Sequence, residues 1–177
     1  EIISLMIEDA LVAVFIDGYY APELSRVNNL PGGVEIASLA DCLNHGALEK
    51  LGCLSRVADM RQPGFVAVNT ILMQDGAVCR VKNGVVIDKP IQLIFATSVD
   101  TANETHLRNV IELGVNAQAT VIQSYVSLGT FSGFFDATAE IHLEEGGSLH
   151  HVIHHNQSAA SWHVNLVAAR LQRNATF

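Results

Sequence analysis

What the chain has little of narrows it first. Its three cysteines, Cys42, Cys53 and Cys79, are an odd number with no C-x-x-C spacing. That fits a reducing cytoplasm better than a disulfide framework. Lysine and arginine number 10 against 18 aspartates and glutamates, a net charge of −8, and they form no cluster. A nucleic-acid surface needs a basic patch, so that class is excluded. Only 16% of residues are charged while 49% are hydrophobic, which excludes disorder and suits much buried surface and a large partner interface. No apolar run approaches a membrane span; Ala10–Ile16 is among the longest. No basic stretch, apolar run and cleavage site form a signal peptide. The expected location is the cytoplasm. Familiar catalytic signatures are missing too. There is no P-loop, no G-x-G-x-x-G, and no G-x-S-x-G elbow around Ser124, Ser127, Ser132 or Ser158. The hexapeptide pattern of left-handed β-helix acyltransferases is also missing.

What is present is a repeat of about thirty residues. Val81, Ile111, Ile141 and Leu171 fall on one ladder, Gly84 and Gly114 on a second, Ile91 and Val121 on a third. Each unit reads as a strand, a glycine-containing turn and another strand. A fixed period of this size predicts stacked coils, and the alternation inside each unit predicts β coils rather than helical ones. The expectation is a mainly β fold, a right-handed parallel β-helix. A β-sandwich with evenly spaced hairpins is the other arrangement that imitates the pattern.

The first third differs. Two apolar runs, Ile2–Ile7 and Ala10–Ile16, read as strands before a turn at Asp17-Gly18. Residues 21–33 are loop-like. Apolar residues fall at helical spacing over 38–44 and again over 47–51, and Ser38 with Asp41 resembles a capping box. Gln62-Pro63-Gly64 breaks the pattern, Phe65–Met73 fits helix or strand, and Asp75-Gly76 turns the chain into the repeats. Two units are expected: an N-terminal α/β segment over 1–62 and a β-helix core over 63–177.

Histidine is the obvious carrier of chemistry. Six of the eight, His142, His150, His151, His154, His155 and His163, lie close together in sequence. Neutral imidazole ligates zinc, nickel or iron. In a strand, however, His150 and His154 face one way and His151 and His155 the other. The latter pair shares the face of Leu149 and Ile153 and is expected to point inward. Glu140-Ile-His142-Leu-Glu144 does not supply a cupin-like ligand spacing. The histidines therefore read as polar rungs on a sheet, and no stoichiometric metal is expected. A metal-dependent β-helix or cupin-like enzyme built on His142–His163 is the alternative. Glu140, Glu144 and Glu145, near Gly146-Gly147, form a candidate acid–base set but read as solvated turn edges. The cysteines read as structural.

Several stretches together resemble the SufB/SufD family of iron–sulfur cluster assembly proteins, nearer its SufD branch. Val14 through Ser25, with Asp17-Gly18, is similar to the family's strand and turn, and Leu30 through Ala40 to the segment after it. The most recognisable run is Phe65–Thr70, Gln74-Asp75-Gly76, Val81–Val85 and Lys89-Pro90-Ile91. Glu112–Val121 resembles the family's acidic-glycine coil. Leu149-His150-His151 stands where the family usually carries an acid before histidine. The resemblance covers essentially the whole chain. It implies a non-catalytic scaffold that works with a SufB-like paralogue and the ABC-type ATPase SufC. Those proteins assemble a transient iron–sulfur cluster with sulfur from a cysteine desulfurase. The family's implicated Cys and His, near a Ser-His-Gly-Ala-type motif, and its ATPase-gripping helices come later, toward the C-terminus. The resemblance therefore implies no catalytic, cofactor-binding or metal residue in this chain. Because the strand pattern Val164–Leu171 reaches nearly to the last residue, a homodimer through that strand is also expected.

Overall fold

The computed structural model describes residues 2–46, 51–59, 61, 64–98, 103–130 and 132–177. Most of the second helical stretch expected at 47–51 lies outside the described residues, as do Gln62 and Pro63. Ten strands are described, β1 (Leu11–Ile16), β2 (Tyr19–Tyr20), β3 (Val34–Ser38), β4 (Ala77–Val81), β5 (Ile91–Thr97), β6 (Asn103–Leu113), β7 (Gln118–Ser127), β8 (Gly133–Leu143), β9 (Ser148–Asn156) and β10 (Trp162–Leu171). Two short helices, α1 (Leu39–Asn44) and α2 (Phe65–Leu72), fall between β3 and β4.

The fold is mainly β, in two mixed five-stranded sheets. One has the order β2-β1-β5-β7-β9 and the other β10-β8-β6-β4-β3. Among the described strands, β1 with β2 and β3 with β4 pair antiparallel and the other pairs are parallel, with a single antiparallel bridge from Val12 to Arg26 besides. From β4 onward successive strands alternate between sheets, and each parallel neighbour among β4–β10 lies about one repeat away in sequence, whereas β1 pairs with β5 across a much longer separation, Leu11 with Ile91. Ile91 pairs with Val121 and Ile111 with Ile141, as the period predicts.

The outer rungs of the first ladder need correction. Val81 pairs with Leu113 and Leu171 with Leu143, so the three steps from β4 to β10 are 32, 30 and 28 residues. A slip of two residues keeps every side chain on its face, so the error is invisible in the hydrophobic pattern. The turns expose it. Gly84 N–H donates to Val115 O, Asn116 N–H to Glu145 O and Gly146 N–H to Arg173 O. The stacked left-handed positions are Gly84, Asn116, Gly146 and Asn174, with φ of 73°, 53°, 68° and 58°. Glycine and asparagine alternate there because both tolerate that conformation. Gly114 is not the counterpart of Gly84; it is small because Asn83 presses on it.

The core lies between the inner faces. Leu11, Leu93, Val121 and Leu149 come from one sheet and Cys79, Ile111, Ile141 and Leu143 from the other. β5 is buried along its whole length, so its outer face is covered as well. The cover is the N-terminal stretch, which packs Ile2 and Ala10 against Val12, Val14, Ile94 and Ala96. That stretch opens with a 3-10 turn, Ile2–Leu5, rather than the expected strand. The Gln92 carboxamide, reaching out from β5, bonds Leu5 O and Ile7 N and takes the place of ladder partners.

The second sheet's outer face carries α1 and α2. Ser38 Oγ caps α1 by accepting from Asp41 N at 3.0 Å. Phe65–Leu72, open between helix and strand in the sequence, is helical. Its inward residue is Asn69, fully buried, whose carboxamide donates to Leu107 O and Asp136 O. Asp75, read as a turn residue, is a buried hub. It accepts from Tyr20 N, Ser38 Oγ, Ala40 N and Gly76 N.

Tight stacking gives a direct test. A Cβ on Gly76 would lie 2.0 Å from Arg108 O, whereas one on Gly32 meets nothing within 4 Å. Gly76→Ala is expected to lower stability in urea by about 3 kcal/mol, as overpacking against rigid backbone does, and Gly32→Ala by no more than about 0.5 kcal/mol. Equal unfolding midpoints would contradict this stacking.

Candidate functional site

The histidine cluster of the sequence divides over three surfaces. His150 and His154 stand exposed on the outer face of the first sheet. His142 lies on the outer face of the second. His151, His155 and His163 stand on the inner faces; His155 and His163 extend a ladder of rings, while His151 stacks on Phe177 at 5.9 Å.

That ladder follows from the register. Phe15, Phe95, Tyr125 and His155 are successive partners across the first sheet. Their ring centroids are 5.1, 5.0 and 5.4 Å apart. His163 enters from the opposite sheet, edge-on to Tyr125 at 4.6 Å and to His155 at 4.5 Å, and lies parallel to Phe135. Gln157 Oε1 accepts from His163 Nδ1 at 2.6 Å, and Gln123 Oε1 accepts from His151 Nε2 at 3.1 Å. Burial, with His155 adjacent, pulls His163 down to about 4; burial lowers His151 as well. Both are neutral imidazoles at neutral pH, each held by one carboxamide. Among the described residues, no group of three or more His, Cys, Asp or Glu could hold a metal ion.

On the outer face of the second sheet a polar row runs Arg80, Glu112, His142, Arg170 in register. Arg80 Nε donates to Glu112 at 3.0 Å, and Glu35 lies 3.6 Å from the same guanidinium. The row borders a cleft of about 940 Å³, which Glu144, Lys82 and Asn83 also line. The lining mixes the cations Arg80 and Lys82 with the carboxylates Glu35, Glu112 and Glu144, which suits a polar segment of mixed charge. Glu144 and Glu145 are partly solvated, and Glu145 pairs with Arg173.

Glu140 does not behave as a turn edge. It is fully buried, on the same face two residues before His142. Its carboxylate accepts from Arg108 Nε at 2.9 Å, and Nη2 lies 2.8 Å from the same oxygen as an ion-pair contact. It also accepts from the backbone N–H groups of Ser55, Val57 and Ala58. Arg108, equally buried, donates to Asn69 Oδ1 at 3.1 Å. One ion pair therefore ties residues 55–58 and α2 to the sheet. Nothing local in the sequence marks the pair, because β6 carries Asn103, Glu104, Thr105, His106 and Asn109 beside Arg108. Beside it, His106 Nδ1 meets Asp136 Oδ2 at 3.1 Å, both buried.

The cysteines stand apart. Burial pushes Cys79 up to about 12. Cys53 is raised by burial and by Glu112 and Glu140, and Cys42 by burial, Glu35 and Asp41. All three stay protonated at neutral pH and are poor nucleophiles. The described cysteines are unpaired.

Comparison with known proteins decides the family. A model of the SufBD protein N-terminal region matches residues 6–93, and a model of the SUF system iron–sulfur cluster assembly SufBD core domain matches residues 95–177. The chain belongs to the SufB/SufD family. It is 29% identical over 164 residues to an iron–sulfur cluster assembly SufBD family protein of Synechocystis sp., covering 88% of this chain and 36% of that protein. It is 28% identical over 147 residues to the iron–sulfur cluster assembly protein SufD of Escherichia coli, covering 81% and 32%. The chain thus spans about a third of the length of these SufB/SufD relatives.

Two outcomes follow for this SufB/SufD chain. Glu140→Ala strands the Arg108 charge in a dry site and should cost about 3–5 kcal/mol in urea unfolding. A loss under about 1 kcal/mol, the range of an exposed pair, would contradict the burial. For His163 the folded value lies below the unfolded one, about 6.5. Its contribution is therefore complete above that value and declines as pH falls toward about 4. His163→Gln should flatten the stability profile over that window; an unchanged slope would contradict the assignment.

Proposed function

We propose that this chain serves in a non-catalytic scaffold subunit of a SUF-type iron–sulfur cluster assembly complex, of the SufD kind. In this reading it acts in the cytoplasm with a SufB-like paralogue and a SufC-type ABC ATPase. The observation that carries the reading is the pair of consecutive family matches, which together run from residue 6 to residue 177. The two sheets are then the walls of a right-handed parallel β-helix, and the steps of 32, 30 and 28 residues are its coils. The iron–sulfur cluster is transient cargo rather than a resident cofactor.

The chemistry of the side chains supports a framework role. Buried Glu140 and Asp75 spend most of their hydrogen bonds on holding backbone, and Arg108 donates to Glu140 and Asn69. The protonated, unpaired thiols fit a reducing cytoplasm. No helix among the described residues is long and apolar enough to cross a membrane. The partner proposed for this framework is a second β-helix, the paralogue's or a copy's, joined by strand pairing.

Co-expression tests the reading. The tagged chain, produced with the SufB-type and SufC-type proteins of the same genome, is expected to retain the paralogue through washing, and the ATPase only when the paralogue is present. Recovery of the chain with neither protein would contradict it.

A further inference from the structure

Asn83 precedes Gly84 in the turn that links β4 to the next coil. An asparagine followed by glycine is chemically exposed, because no side chain keeps the next backbone nitrogen from reaching the carboxamide carbon. Here the fold occupies both reacting groups. Gly84 N–H donates to Val115 O at 2.7 Å, and Asn83 Oδ1 accepts from Val115 N at 3.0 Å. Gly114 closes the other side: a Cβ there would sit 2.2 Å from Asn83 Oδ1 and 2.7 Å from Asn83 N. Water reaches the site freely, since Asn83 and Gly84 are exposed. Ring closure requires the carboxamide to turn away from Val115 N and Gly84 N to leave Val115 O. Neither happens while the coils are stacked.

We propose that Asn83 is a latent deamidation site, shielded by Val115 in the stacked coils and modified when this turn lifts away. Gly84 N, giving its proton to water or hydroxide, attacks Asn83 Cγ. The new C–N bond forms, the Cγ–Nδ2 bond breaks, and ammonia leaves with the proton it takes from solvent. Water then opens the resulting succinimide at either carbonyl. Opening at one gives aspartate, whose carboxylate still accepts from Val115 N and makes a charge-assisted bond. Opening at the other gives isoaspartate, whose main chain runs through the former side-chain methylene. The turn is then one atom longer and cannot place Gly84 N–H on Val115 O. One product lets the coil close again, and the other records the opening permanently.

The test follows deamidation of the full chain by peptide mapping with mass spectrometry, in mildly alkaline buffer, folded and in concentrated urea. Modification at Asn83 is expected to be at least about tenfold slower in the folded chain, because only the open fraction reacts. Equal rates would overturn the proposal. Hydrogen exchange supplies an independent readout: the Gly84 amide should be protected, and exchange at the rate of an unbonded turn amide would overturn the assignment to Val115. Asn83→Asp is expected to keep the wild-type unfolding midpoint or exceed it. A folded Gly114→Ala variant should deamidate faster than the wild-type fold; if it does not fold, the folded-against-urea comparison and the Gly84 exchange still decide.

Discussion

The structure depends on parallel backbone pairing between strands about thirty residues apart. Each inner strand spends its N–H and C=O groups on the strand before and the strand after, so no rung can shift alone. The alignment is carried around the corners by turns whose Gly84, Asn116 and Gly146 each donate to the turn above. Side chains then repeat without further instruction. Aliphatic residues stack between the sheets, rings stack on rings from Phe15 to His155, and the polar row Arg80, Glu112, His142, Arg170 forms along the second sheet's outer face.

The outer faces are held differently. The first sheet is covered by apolar contact, Ile2 and Ala10 over Val12 and Ile94, with Gln92 fixing the path of the cover. The second is covered through buried polar groups that bind backbone: Asp75 holds β2 and α1, Asn69 holds α2, and Glu140 with Arg108 holds residues 55–58. A carboxylate that satisfies several N–H groups fixes a segment's position closely, and losing it leaves those groups unsatisfied in a dry site. That arrangement suits a subunit whose use is to present surfaces in a fixed relation.

The inner half of the fold was legible in the sequence. Apolar alternation marks each strand, and the period placed Ile111 beside Ile141 and Ile91 beside Val121. The rungs at Val81 and Leu171 were misplaced because a two-residue slip preserves facing. The signal that resolves them, a left-handed residue in each turn, alternates between glycine and asparagine and so does not read as one motif. The histidines looked like a cluster because sequence distance hides facing; the alternation that separates His150 from His151 did place the inward pair correctly. Glu140 and Asp75 were misread because both stand beside turn-like residues, and burial by segments far away in sequence leaves no local mark. Arg108, Asn69 and their partners were illegible for the same reason.

Nuclear Overhauser contacts between backbone protons measure the coil register most directly. The account predicts short contacts joining Val81 to Leu113, Ile111 to Ile141 and Leu143 to Leu171, with neighbouring strands about 4.8 Å apart. Contacts that join Val81 to Ile111 and Ile141 to Leu171, or an antiparallel pattern between β6 and β8, would contradict it.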